Sequence, residues 1–193
     1  MRKHPAWPLI LAMALVVSAC AEPPHKEMDQ AQGAIDAARA AGADRYASAE
    51  YTAATDALKR SEDAATQGDY RLALNHALDS GERAREAARA AGDAKAQLRG
   101  DVERARTELA AQIAALQQRL AAAQKSRVPR AAAHKVSSAA DAIEKDLQKV
   151  GEVAAAGDYL AAQALLQEIR SRLDQVAADL DAATTPQSPR RRR

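Results

Sequence analysis

One thiol, three histidines beyond the N-terminal region, two tyrosines in matching settings and a run of four arginines could carry chemistry in this 193-residue sequence. Each type needs a partner at the right spacing. The thiol of Cys20 is a nucleophile that can be alkylated, but no second cysteine offers it an intramolecular disulfide. His25, His76 and His134 do not stand four residues apart from one another or beside a cysteine, so no metal set is expected. A phosphate-cradling glycine loop, a serine elbow and an HExxH motif are absent from the sequence. Asp141, Glu144, Asp174 and Asp179 interleave with Lys145, Lys149, Arg170 and Arg172 at helix-surface spacing, which reads as a solvated charged face. With no assembled acid, base and nucleophile, the expectation is a protein that is not an enzyme and has no small-molecule substrate.

The surroundings of Cys20 are more specific. Arg2, Lys3 and His4 precede an apolar stretch from Ala6 to Val17 interrupted only by Pro8. That stretch falls short of the roughly 20 residues of a spanning helix and has the layout of a secretory signal over residues 1–19. Val17-Ser18-Ala19-Cys20 resembles the lipobox of bacterial lipoproteins. The resemblance implies cleavage before Cys20, a diacylglyceryl group on its thiol and an acyl chain on the new amino terminus. Two or more chains make a stable anchor where one is marginal. Ala21, where an aspartate would imply retention at the inner membrane, implies an outer-membrane lipoprotein facing the periplasm of a Gram-negative cell.

Charge follows the same division. Without Arg2 and Lys3 the 28 basic residues fall to 26, equal to the 26 acidic ones. Setting aside Arg190, Arg191, Arg192 and Arg193 leaves a body of net −4, so the basicity belongs to the two ends. Those arginines are a candidate contact for an anionic surface, and nucleic acid is not an expected partner.

Aromatics are 3% of the chain and phenylalanine is absent, so the core has to be built from Ala, Leu, Ile and Val, which favours helices. The predicted fold class is all-α, with antiparallel helical hairpins forming an elongated, coiled-coil-like bundle of two related helix-turn-helix units. Residues 20–27, with Pro23 and Pro24, read as an extended spacer. Residues 28–127 read as a first helical unit with a long connecting helix, 130–183 as a second hairpin and 184–193 as a disordered basic tail.

Within the first unit, helix is expected from Met28 to a stop at Gly42, and again over Ser48 to Thr66 with Tyr51, Ala54, Leu58 and Ala65 on one face. Gly68 fits a left-handed helix end, and Asp69 fits the cap of the next helix. The same device recurs at Gly157-Asp158-Tyr159, aligning Leu58 with Leu147 and Ala73 with Ala162, which points to an internal repeat. Heptad stripes from Val136 to Ala154 and from Ala162 to Leu180 should zip around that second turn. The stripe Val102, Ala105, Leu109, Ile113, Leu116, Leu120 has an eleven-residue repeat, which predicts a straight or slightly right-handed helix. Gly92 and Gly100 predict two or three joined pieces over Asp69 to Arg127, and Pro129 predicts their end. Tyr70 and Tyr159 are expected to pack over the mouths of their hairpins.

Ala41-Gly42-Ala43, Tyr46-Ala47, Glu50 and Gly68-Asp69-Tyr70 together resemble a bacterial lipoprotein family defined only as domain of unknown function 4398, over roughly residues 27 to 91. The resemblance implies a location and a helical fold and transfers no catalytic residue. The expected role is a lipid-anchored structural or protein-interaction module of the envelope, through an envelope partner or self-association. The alternative is an accessory or carrier factor of a transport or assembly machine that binds a client peptide or lipid.

Overall fold

The computed structural model describes residues 22–125 and 128–185, and every regular element among them is a helix. In chain order these are α1 (His25–Ala40), α2 (Ala43–Tyr46), α3 (Ser48–Thr66), α4 (Tyr70–Lys125), α5 (Arg130–Ala155) and α6 (Tyr159–Thr184). No described helix is long and apolar enough to cross a membrane. The chain divides into two compact units, Met1–Gly92 and Asp93–Arg193.

Two expectations about the first helices change. The spacer expected over 20–27 ends earlier, because α1 begins at His25 directly after Pro24. Proline is tolerated at a helix start, where its missing N–H is one of the donors left over in any case, and Glu27 favours the positive end of the helix dipole. The pieces expected over Asp69 to Arg127 are one continuous helix, α4, which runs through Gly81, Gly92 and Gly100. A glycine in a helix costs about 1 kcal/mol relative to alanine but removes no hydrogen bond, and strong helix formers on both sides carry the helix across it.

In the first unit, α1, α3 and the 70–92 part of α4 form a three-helix bundle. Its core is Ala31, Ile35, Ala38, Ala43, Ala47, Ala54, Leu58, Ala84, Ala87 and Ala91. With so many alanines, the backbones have to approach closely to exclude water. They do: the buried Ser61 Oγ donates to the Ala73 carbonyl at 2.7 Å, and the buried Ser80 Oγ donates to the Ala54 carbonyl at 2.8 Å. These two bonds fix the antiparallel register of α3 and α4. At the opposite end from that hairpin's turn, Arg39 Nε donates to the Tyr51 hydroxyl at 2.8 Å, joining the end of α1 to the start of α3.

In the second unit the 93–125 part of α4 packs with α5 and α6. The boundary between compact units therefore lies inside α4, at Gly92, whereas sequence patterning suggested the break at Pro129. The core here is aliphatic, with Leu109, Ile143, Ile169, Leu180, Val102 and Val150 fully buried. Burying each such side chain stabilises by about 1.5–3 kcal/mol relative to exposure. The stripe on α4 is buried at Val102, Leu109, Ile113, Leu116, Leu120 and Ala123, while Ala105 is only half-buried. From Leu109 onward the steps of four and three are those of a heptad seam against α5 and α6. Ion pairs line the edges: Arg119 with Asp181, Arg170 with Glu108 at 3.4 Å, and Lys135 with Asp179 at 2.8 Å.

Candidate functional site

The two Gly-Asp-Tyr turns are built alike, bond for bond. Gly68 and Gly157 have φ of 79° and 85°, the left-handed region where a side chain would be strained. The Asp69 amide reaches back to the Ala64 carbonyl at 3.0 Å, and the Asp158 amide reaches back to Val153 at 3.2 Å. The Gly68 amide bonds the Ala65 carbonyl and the Gly157 amide that of Ala154, both at 3.0 Å. The pattern ends α3 and α5 as Schellman turns. The aspartates then start the returning helices: Asp69 Oδ1 accepts from the Leu72 amide at 3.0 Å, and Asp158 Oδ1 from the Ala161 amide at 3.2 Å.

The equivalence extends along both arms at the offset that separates Gly68 from Gly157. Buried Ala54, Leu58 and Ser61 on α3 correspond to buried Ile143, Leu147 and Val150 on α5. Buried Ala73, Ala77, Ser80, Ala84 and Ala91 on α4 correspond to buried Ala162, Leu166, Ile169, Leu173 and Leu180 on α6. The chain carries one hairpin twice, once with a small-residue seam and once with a large aliphatic seam.

The tyrosines of the two turns are both half-buried. Tyr159 packs against the aliphatic core, in keeping with a covering role at the hairpin mouth. The histidines stay apart from one another: His25 and His134 are exposed and His76 is half-buried. Among the described residues no group of His, Cys, Asp and Glu is placed to hold a metal ion. Cys20 and the arginines 190–193 lie outside the described residues.

Of the charged residues expected on a solvated face, Lys149, Arg170, Arg172 and Asp179 form specific pairs. Asp146 accepts from Lys149 Nζ at 2.7 Å and from Arg172 Nη1 at 2.5 Å. Those bonds, that of Lys149 first, hold the Asp146 carboxyl below the ordinary carboxylate range. Asp179 is lowered in the same way by Lys135 and then Gln175. Such pairs stand at the surface, where solvent screens them.

An open groove of about 450 Å³ lies between α4 and α5 in the second unit. Ala110, Ile113, Ala114 and Leu147 form its apolar floor, and Arg106 and Glu144 stand at its rim. Arg106 Nη1 lies 2.8 Å from where a side-chain carbon on Gly151 would stand, so the missing side chain makes room for the guanidinium. Sequence reasoning missed this fit, as it missed the Ser61 and Ser80 bonds. The available signal was a serine at each of two positions whose repeat equivalents are Val150 and Ile169.

Residues 26–107 match the family model described as Domain of unknown function (DUF4398). They form a DUF4398-like region. It takes in the first bundle from Lys26 onward, including the Gly68 turn, and continues along α4 to Thr107. The match reaches further than the resemblance over 27 to 91, and the second hairpin lies beyond it. Searches of curated proteins and of solved structures returned no match.

Proposed function

We propose that the chain is a lipid-anchored helical module of the cell envelope, held at the outer membrane through Cys20 and facing the periplasm as a structural or protein-interaction element. The observation that carries this reading is Val17-Ser18-Ala19-Cys20 at the end of a short apolar stretch behind Arg2 and Lys3. The helical bundles support it by what their side chains do. Alanines in the first bundle and larger aliphatic groups in the second fill the cores, and acids and bases pair on the outside, which leaves extended helical faces as the means of contact. The terminal arginines 190–193 would add contact with anionic headgroups.

The mass of the native protein extracted from membranes tests this reading, with Cys20→Ala as the comparison. Loss of residues 1–19 with addition of acyl chains is the expected result, with the variant uncleaved or released. An unmodified Cys20 on a protein found free of membranes would overturn it. A second reading, a carrier of a client peptide or lipid, is favoured only by the apolar-floored groove between α4 and α5. A client that co-purifies and is lost with Ala114→Glu would favour that reading.

A further inference from the structure

Along α4 a buried side chain recurs at least once per helical turn or so through the first bundle, from Ala73 to Ala91, and again in the second from Leu109 to Ala123. The stretch that follows Ala91 is of a different kind. None of residues 92–101 is buried, so nearly three turns of helix place no residue in either core. Leu98, its largest apolar side chain, is half-buried and belongs to neither core.

Its composition weakens the helix further. Two glycines stand eight residues apart in it, and neither answers to packing. Gly81 lies against Ala31 Cα at 3.8 Å, and Gly151 leaves room for Arg106. At Gly92, by contrast, nothing stands within 4 Å of where a side-chain carbon would be, and at Gly100 only Arg104 Nη1 of the same helix does, at 3.7 Å. Alanine would fit at both places and hold a helix better, so the space around these positions does not ask for glycine. Lys95 and Arg99 add two like charges one turn apart, which also works against the helix.

A helix in a folded protein draws most of its stability from the face it buries, and a run shorter than about 12 residues is marginal in water by itself. We propose that residues 92–101 are a glycine-built joint in α4, a segment whose backbone hydrogen bonds open and close while both bundles stay folded. Opening there uncovers no core residue, whereas opening over 80–91 or 109–123 would uncover Ser80, Ala84 and Ala87 or Leu109, Ile113 and Leu116. The boundary between the two compact units falls at the start of this segment. The joint lets the two bundles move as separate bodies, and it holds independently of the lipid anchor.

Hydrogen exchange of the native protein, followed by mass spectrometry of peptides along α4, tests this. After allowance for intrinsic rates, the amides of 92–101 should exchange at least about 100-fold faster than those of 80–91 and 109–123. The double variant Gly92→Ala, Gly100→Ala should slow exchange over 92–101 by about tenfold or more and leave the two flanks within about twofold of the parent. Exchange over 92–101 as slow as in the flanks overturns the proposal, because α4 is then held as firmly there as in the cores. Flanks that exchange as fast as 92–101, or that slow equally in the double variant, overturn it as well, since the bundles then open together with the segment. Fast exchange that both alanines leave unchanged shows that the glycines make no joint, which also overturns it. Both added carbons enter open space, so the variant keeps the fold, and circular dichroism should show its helix content undiminished.

Discussion

The hydroxyl of Ser80 donates to the carbonyl oxygen of Ala54 at 2.8 Å, across the seam between α4 and α3. A side chain this short can reach the neighbouring backbone only where the helices nearly touch. At the equivalent place in the second unit stands the larger side chain of Ile169, which is buried.

Ser80→Ala should therefore lower stability by about 1 kcal/mol, the net value of one hydrogen bond. Ser80→Leu should lower it further, by about 1–3 kcal/mol, because the seam has no room for the added carbons. Ile169→Ser should cost at least about 3 kcal/mol, combining a cavity with a buried hydroxyl. Urea unfolding measures all three, and a Ser80→Leu protein more stable than the parent would contradict the close seam.

The left-handed glycines give a matched pair of tests. Gly68→Ala and Gly157→Ala should each cost about 1–2 kcal/mol, since nothing lies within 4 Å of the added carbon and only backbone strain remains. Asn at either position should recover part of the loss, because it tolerates this conformation. Asp69→Ala and Asp158→Ala should each cost about 1 kcal/mol through the lost cap. Thermal unfolding of the four alanine variants reads the comparison, and a neutral Gly68→Ala would mean the turn is not as described.

Arg106 and Gly151 make a prediction whose size depends on the background. Alanine is the better helix former by about 1 kcal/mol, but its side-chain carbon would meet the guanidinium at 2.8 Å. Gly151→Ala alone should thus gain less than the propensity difference, while in an Arg106→Ala background it should gain the full amount. A double-mutant cycle by urea unfolding measures the coupling, and additive effects would show that the two residues do not meet.

Acid should act through Asp146. Its folded carboxyl is held below the ordinary range by Lys149 and Arg172, so the unfolded chain binds a proton more readily. That stabilisation is complete above the unfolded value near 3.9 and is lost as the pH falls through the lowered folded value. Asp146→Asn should flatten the acid limb of stability against pH in that window and leave the neutral side parallel to the parent. An unchanged acid limb would show that the pairing does not persist in solution.

The turns were legible because a glycine that must adopt positive φ and an aspartate that must cap leave little choice of residue. The aliphatic seams from Val136 to Ala154 and from Ala162 to Leu180 were legible because large side chains stand out against alanine. The expected face of Tyr51, Ala54, Leu58 and Ala65 agrees less closely, with Tyr51 and Ala65 only half-buried. In the structure the buried positions of α3 are Ala54, Ala57, Leu58, Ser61 and Ala64. Where nearly every position is small, apolar periodicity fades and the true stripe is hard to separate from its neighbours. The continuity of α4 was hidden because glycine signals weakness and not a break. The allegiance of residues 93–125 was hidden because a heptad seam records that a partner exists, not which helix it is.

The unequal seams of the two hairpins also act on the folding chain. Shared turns and caps invite an arm of one copy to pair with an arm of the other, the usual hazard of duplicated sequence. Here such an exchange would press α6, with Leu166, Ile169 and Leu173, against the alanine face of α3, or leave α5 facing alanines across an unfilled gap. Side-chain volume thus works as a key that lets each newly made arm recognise its own neighbour and refuse its double.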